Sequence, residues 1–94
     1  MEGSAKQKVP GGKLITVKLS YSDKIEKIQI LGDFFIYPEM GLEVIEERIC
    51  GTPIDIDEKE LSDKISRIVA SGKIEMIGVT SEAIAQTIKM VVKK

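Results

Sequence analysis

The chain has 94 residues, 31% of them charged, and its 14 basic and 15 acidic side chains leave a net charge of −1. A chain this short makes one domain with a thin core, and it lacks the basic excess of a dedicated nucleic-acid binder. It has no histidine and one cysteine, which removes His-based triads, His metal ligands and the commonest general base, excludes an internal disulfide, and points to a reducing, cytoplasmic setting.

Residues 1–12 are polar and end in Pro10-Gly11-Gly12, expected as a flexible lead into a single domain over residues 13–94. No hydrophobic segment follows Met1 as a secretory signal would require, and no apolar run reaches the roughly 18 residues of a membrane helix. Over residues 13–21, Ile15, Val17, Leu19 and Tyr21 alternate with Thr16, Lys18 and Ser20. That period and the β-branched content predict a half-buried strand. Ser22-Asp23-Lys24 is a turn signal, and residues 25–31 form a second strand with Ile28 and Ile30 on one face. Ile25 falls off that parity, so a bulge is expected there. The two strands should pair as an antiparallel hairpin, and any third strand would come from residues 6–9.

The bend Gly32-Asp33-Phe34-Phe35-Ile36-Tyr37-Pro38 follows, and Pro38 is expected to open a helix. Leu42, Ile45 and Ile49 give that helix one apolar face, and Gly51 is its stop. Asp57 is placed to cap a second helix with Glu60 as its capping-box partner. Its stripe is Leu61, Ile65, Ile68 and Val69, and Gly72 ends it. Residues 73–78 read as an apolar connector. Thr80 caps a third helix with the stripe Ile84, Ile88, Val91 and Val92, closing on Lys93-Lys94, a charge that suits a helix C-terminus. The expected class is α+β, a two- to three-stranded antiparallel sheet followed by three helices in the order β-β-α-α-α, since a lone hairpin is marginal in water.

Charge is uneven. Residues 39–63 carry nine acidic and two basic side chains, while the flanking segments are net positive. The block reads as a solvated face with acids near helix N-termini, or as a surface for a basic partner. Gly11-Gly12-Lys13 is too short for a phosphate loop and precedes a strand. Asp55, Asp57 and Glu58 lack calcium-loop spacing. Cys50, beside the Gly51 stop and without histidine, reads as a partly buried small residue. Asp23-Lys24 at a hairpin tip resembles the modified lysine of lipoyl and biotinyl acceptor domains, but those are all-β, and Lys24 reads as a turn residue. Phe34, Phe35 and Tyr37 are three of only four aromatics in the chain. They either pack the hairpin onto the helices or serve as an interface anchor.

The opening Gly11-Gly12-Lys13-Leu14-Ile15, the block Gly32-Asp33-Phe34-Phe35 with Pro38-Glu39 after it, the run 42–51, and Ile77-Gly78-Val79-Thr80 before the last helix together resemble the accessory domain of lipoate–protein ligases. The resemblance covers residues 8–94, and its most specific element is Gly-Asp-Phe-Phe. It implies a small subunit of a bipartite, heterodimeric ligase, whose fold is similar to iron–sulfur assembly scaffolds. Those scaffolds need three cysteines, so their function does not carry over. In the family the large catalytic subunit binds lipoate and ATP with Mg, forms lipoyl-AMP, and passes the lipoyl group to a lysine of an acceptor domain. The small domain is needed for adenylation and holds no catalytic residue, metal or cofactor of its own. The expected partner contact is Lys13, Asp33, Phe34, Phe35, Tyr37 and Pro38, with Lys13 either a flank of the first strand or a cation for the nucleotide. A stand-alone binding or scaffold module without an enzymatic partner is the alternative.

Overall fold

The computed structural model describes residues 1–9 and 13–92. Three antiparallel strands, β1 (Glu2–Lys8), β2 (Leu14–Tyr21) and β3 (Ile25–Gly32), form a sheet in that order. A separate two-stranded ladder pairs β4 (Phe35–Tyr37) with β5 (Glu75–Ile77). The helices are α1 (Gly41–Ile49), α2 (Glu58–Ser71) and α3 (Ser81–Val92). The α+β class stands, but the order is β-β-β-β-α-α-β-α. Helix α3 packs on β1 and β2, α1 packs on β3, and α2 packs against both helices.

Alternation builds the sheet as its sequence implies. Ile15, Val17 and Leu19 are buried on the helix-covered face, with Ile30 opposite Val17 and Ile28 opposite Leu19. The register shifts between Ser20 and Tyr21, where Lys27 and then Ile25 are the partners and Glu26 is the extra residue. That bulge, expected from parity, turns Ile25 into the core. The other face of the sheet carries Glu2, Lys6, Lys8, Lys18, Lys27 and Gln29, all exposed. The described helices lie on the opposite side.

Residues 2–8, expected within a flexible lead, instead form β1 along the whole of β2, from Glu2 opposite Ser20 to Lys8 opposite Leu14. Pro10-Gly11-Gly12 lie outside the described residues. Gly3, Ala5 and Gln7 occupy the inward positions of β1 and show no β-branched alternation, so the strand carries no sequence signal. Its anchor is polar. The Gln7 Nε2 donates to the Ala83 carbonyl at 3.3 Å, to Gln86 Oε1 at 3.3 Å and to Thr87 Oγ1 at 2.7 Å.

Pro38 does not open α1. Pairing with β5 holds the chain extended through Tyr37, so a turn must come first, and the Pro38 carbonyl accepts from the Gly41 N–H at 2.8 Å. Helix α1 ends at Gly51, whose φ of +89° favours a residue without Cβ. Cys50 beside it is exposed rather than partly buried. The Asp57 carboxylate caps α2 by accepting from the Lys59 N–H at 3.1 Å, and Thr80 Oγ1 accepts from Ala83 N–H at 3.1 Å to cap α3. Past α2 the left-handed residue is Lys73, φ 52°, not Gly72. Leu61, Ile65, Ile68, Ile84, Ile88 and Val91 fill the helical side of the core. Lys93 and Lys94 lie outside the described residues.

The free edge of β3 is partly closed by a side chain. Asp33 N–H donates to the Leu14 carbonyl and Tyr21 N–H to the Met1 carbonyl, so even-numbered β2 residues face β3. In return Lys27, Gln29 and Leu31 face β2, and Ile28, Ile30 and Gly32 turn their backbone groups outward. The Ile30 N–H donates to Glu46 Oε2 on α1 at 2.8 Å. Partial burial raises the Glu46 carboxyl above the ordinary range; the Ile30 N–H pulls it back, and the Glu43 charge adds to the rise. A carboxyl held protonated more firmly in the folded state favours folding most below its ordinary pKa, and that contribution is lost as pH rises through the folded value. Glu46→Gln keeps an acceptor oxygen and loses the charge. It is expected to flatten the fall in stability from about pH 4 upward and to raise stability at pH 7 by less than about 1 kcal/mol, because solvent screens a half-buried group. Urea melts of both proteins at pH 4, 5.5 and 7 check this.

Candidate partner-docking site

The β4–β5 ladder brings together two segments some 40 residues apart in the chain. Phe35 lies opposite Ile77, Ile36 opposite Met76, and Tyr37 opposite Glu75. Strand parity decides which side chains leave the core. Ile36 and Met76 turn inward against it. Phe35, Tyr37 and Ile77 turn outward, 63%, 54% and 46% exposed, and Met40 in the following turn is 63% exposed. A chain this poor in aromatics therefore shows half of them on one short outward face. Exposed aromatic and methionine side chains grouped in this way are the composition of interface cores.

Phe34 has the opposite role. It is half-buried, and its ring passes within 2.7 Å of where a Gly32 Cβ would sit, while that same position is 2.3 Å from the Leu14 carbonyl oxygen. Only glycine permits this approach. On the other side, Gly78 holds φ +92°, and a Cβ there would lie 3.4 Å from the Phe34 Cβ and 3.6 Å from the Asp33 carbonyl. Phe34 is thus the wedge between the two glycines, and the Gly32–Phe35 block and the Ile77–Thr80 run form one corner of the fold. Asp33 is exposed, and its N–H holds the bend to the Leu14 carbonyl at 3.1 Å. Lys13 is exposed beside Leu14 at that same end of the sheet, and its carbonyl accepts from the Val9 N–H at 2.8 Å.

Of the six residues expected at a partner contact, Phe35 and Tyr37 share the outward face. Lys13 and Asp33 are exposed at the end of the sheet, Phe34 supports the corner from inside, and Pro38 makes the turn into α1. Ile77 and Met40 were not anticipated. A three-residue strand is too short to show a period, and its partner is distant in sequence, so Ile77 read as part of an apolar connector. Among the described residues no group of three or more His, Cys, Asp or Glu side chains is placed to hold a metal. Among them, too, no helix is long and apolar enough to cross a membrane.

No protein-family model and no curated protein matches the chain. Among solved structures the chain is similar to one chain of an archaeal lipoylation system, a bi-partite lipoate protein ligase and its E2 lipoyl domain from Thermoplasma acidophilum. The identity is 29%, the match covers 94% of this chain and 94% of that one, and the TM-score is 0.75.

Proposed function

We propose that this chain is the non-catalytic accessory subunit of a bipartite lipoate–protein ligase, required with the large subunit for ATP-dependent conversion of lipoate to lipoyl-AMP. The observation that carries this reading is the end-to-end likeness to a chain of a bi-partite lipoate protein ligase system. The Gly32–Phe35 block and the Ile77–Thr80 run, two of the segments that carry the resemblance, meet at the Gly32–Phe34–Gly78 corner and support it further. ATP, Mg and lipoate belong on the large subunit in this proposal, and the lipoyl acceptor domain meets the complex through that subunit. This chain offers no histidine to attack or protonate an acyl-adenylate, so it acts through the partner's conformation.

Such an effect requires the accessory chain to bind the adenylation-competent state in preference to the other. Moving a two-state equilibrium from 1:99 to 99:1 takes about 5.5 kcal/mol of differential affinity. An ordinary interface covers about 800 Å² per partner, roughly one-seventh of the 5737 Å² this chain exposes. The outward β4–β5 face is the proposed centre of that contact, and Lys13 at the neighbouring sheet end is proposed to lend charge toward the nucleotide.

The test separates the two half-reactions. With a large subunit lacking its own accessory domain, transfer from lipoate and ATP to an acceptor domain should need this chain. Transfer from synthetic lipoyl-AMP should proceed without it. Need for the chain in both reactions overturns the division of labour, and need in neither overturns the function. Lys13→Ala is expected to slow adenylation in a folded complex and leave transfer from lipoyl-AMP unchanged. If adenylation keeps its rate, Lys13 is only a strand flank.

A further inference from the structure

A groove runs along the outer edge of β3, between that edge and α1. Beside Ile28 it is a depression of about 490 Å³ lined by Lys27, Met40, Glu43, Val44, Glu47 and Cys50. Past the Ile30–Glu46 hydrogen bond it continues as one of about 280 Å³ between Leu31 and Gly32 on one side and Phe34, Ile36, Glu39 and Leu42 on the other. Its far end is closed by protein: Ile25 exchanges backbone hydrogen bonds with Gly51 and Thr52, and Lys24 bridges to Pro53. The chain thus pairs the start of this edge and leaves Ile28, Ile30 and Gly32 facing the groove. Among the described residues, Glu46 is the one side chain that bonds these outward backbone groups.

We propose that this groove receives an extended segment of the catalytic subunit, which adds to β3 as a fourth strand and displaces Glu46 from the Ile30 N–H. The proposal rests on the subunit reading above and specifies what the partner presents. Five residues from Ile28 to Gly32 offer about 17 Å of ladder, enough for main-chain bonds at three outward residues of β3 in the manner of strand addition. Alternate side chains of the added strand would lie toward α1. There the floor is apolar, with Val44 and Leu42, and the rim is acidic, with Glu39, Glu43 and Glu47 exposed. That surface fits Lys or Arg, whose methylene stems cover apolar floor while their charged ends reach the carboxylates. The occupant is therefore a strand-forming segment with basic residues at every second position. Glu46 is a placeholder: it satisfies a donor that would otherwise be unpaired at a sheet edge, and it yields to a better-placed carbonyl.

Amide hydrogen exchange of the reconstituted complex tests this directly. The Ile28 amide is expected to exchange at least about a hundredfold more slowly in the complex than in the free chain, because it gains a partner on an edge that is open now. Glu43→Lys with Glu47→Lys, both on exposed helix positions, is expected to weaken the complex at least tenfold while α1 keeps its exchange protection. A photo-crosslinker on Cys50, the only cysteine in the chain, should capture one extended segment of the catalytic subunit rich in Lys or Arg. If the complex forms and supports adenylation but the Ile28 amide stays as fast as in the free chain, strand addition is wrong and the accessory function stands. If no complex forms with the catalytic subunit, both are wrong.

Discussion

Replacing both Phe35 and Tyr37 with alanine is expected to weaken binding of the proposed catalytic subunit by two to three orders of magnitude with little change in melting temperature. Truncating a central aromatic anchor costs about 2 kcal/mol or more, roughly 30-fold each. Both side chains are more than half exposed, and exposed positions without structural partners change folding stability by only about 0.5 kcal/mol. Phe34→Ala should do the reverse. It removes the wedge held between Gly32 and Gly78, so stability should fall by about 1–3 kcal/mol, less than for a fully buried phenylalanine. Titration calorimetry beside thermal melts distinguishes the two patterns. Normal affinity in a folded Phe35, Tyr37 double variant would remove the hairpin from the interface.

Deletion of residues 1–8 is expected to abolish cooperative folding or to cost more than about 4 kcal/mol. It strips the seven-residue ladder of β1 from β2 and leaves a two-stranded hairpin to carry three helices. It also removes the Gln7 amide from Ala83, Gln86 and Thr87, and the inward faces of Gly3 and Ala5 from beside α3. A true flexible lead would be lost without effect. Urea unfolding of the truncated and intact chains decides between these outcomes, and equal midpoints and slopes would show that β1 contributes nothing.

The contrast marks where sequence periodicity carries information and where it stops. The alternation of Ile15, Val17 and Leu19, the stripe Ile84, Ile88 and Val91, and the Asp57 and Thr80 caps were legible because each is a local pattern with one physical cause. Strand β1 was not, because its inward positions hold a glycine, an alanine and a glutamine whose partners lie at the other end of the chain. Strands β4 and β5 were not, because three residues show no period. The aromatic block was legible as unusual, but not which of two adjacent phenylalanines would turn inward. That choice is fixed by pairing with Met76 and Ile77, and it separates a supporting Phe34 from an exposed Phe35. Nor does any local signal direct Glu46 to the edge of β3.

The one-sided sheet has a consequence for how the molecule meets other charged bodies. Lys6, Lys8, Lys18 and Lys27 lie on its open face with Glu2, while the nine acidic residues of the 39–63 segment, Glu43, Glu46 and Glu47 on α1 among them, belong to the helical side. The overall charge of −1 therefore conceals patches of either sign: a basic open sheet face and an acidic 39–63 segment, with residues 64–94 carrying six basic against two acidic side chains. Even the shortest dimension of the molecule is 21 Å, whereas counter-ions screen a field within about 8 Å at physiological ionic strength. An approaching protein thus feels the patch that faces it and almost nothing of the far side. Encounter rates should therefore respond to salt according to the patch a partner meets, with opposite sign for the basic sheet face and the acidic 39–63 segment.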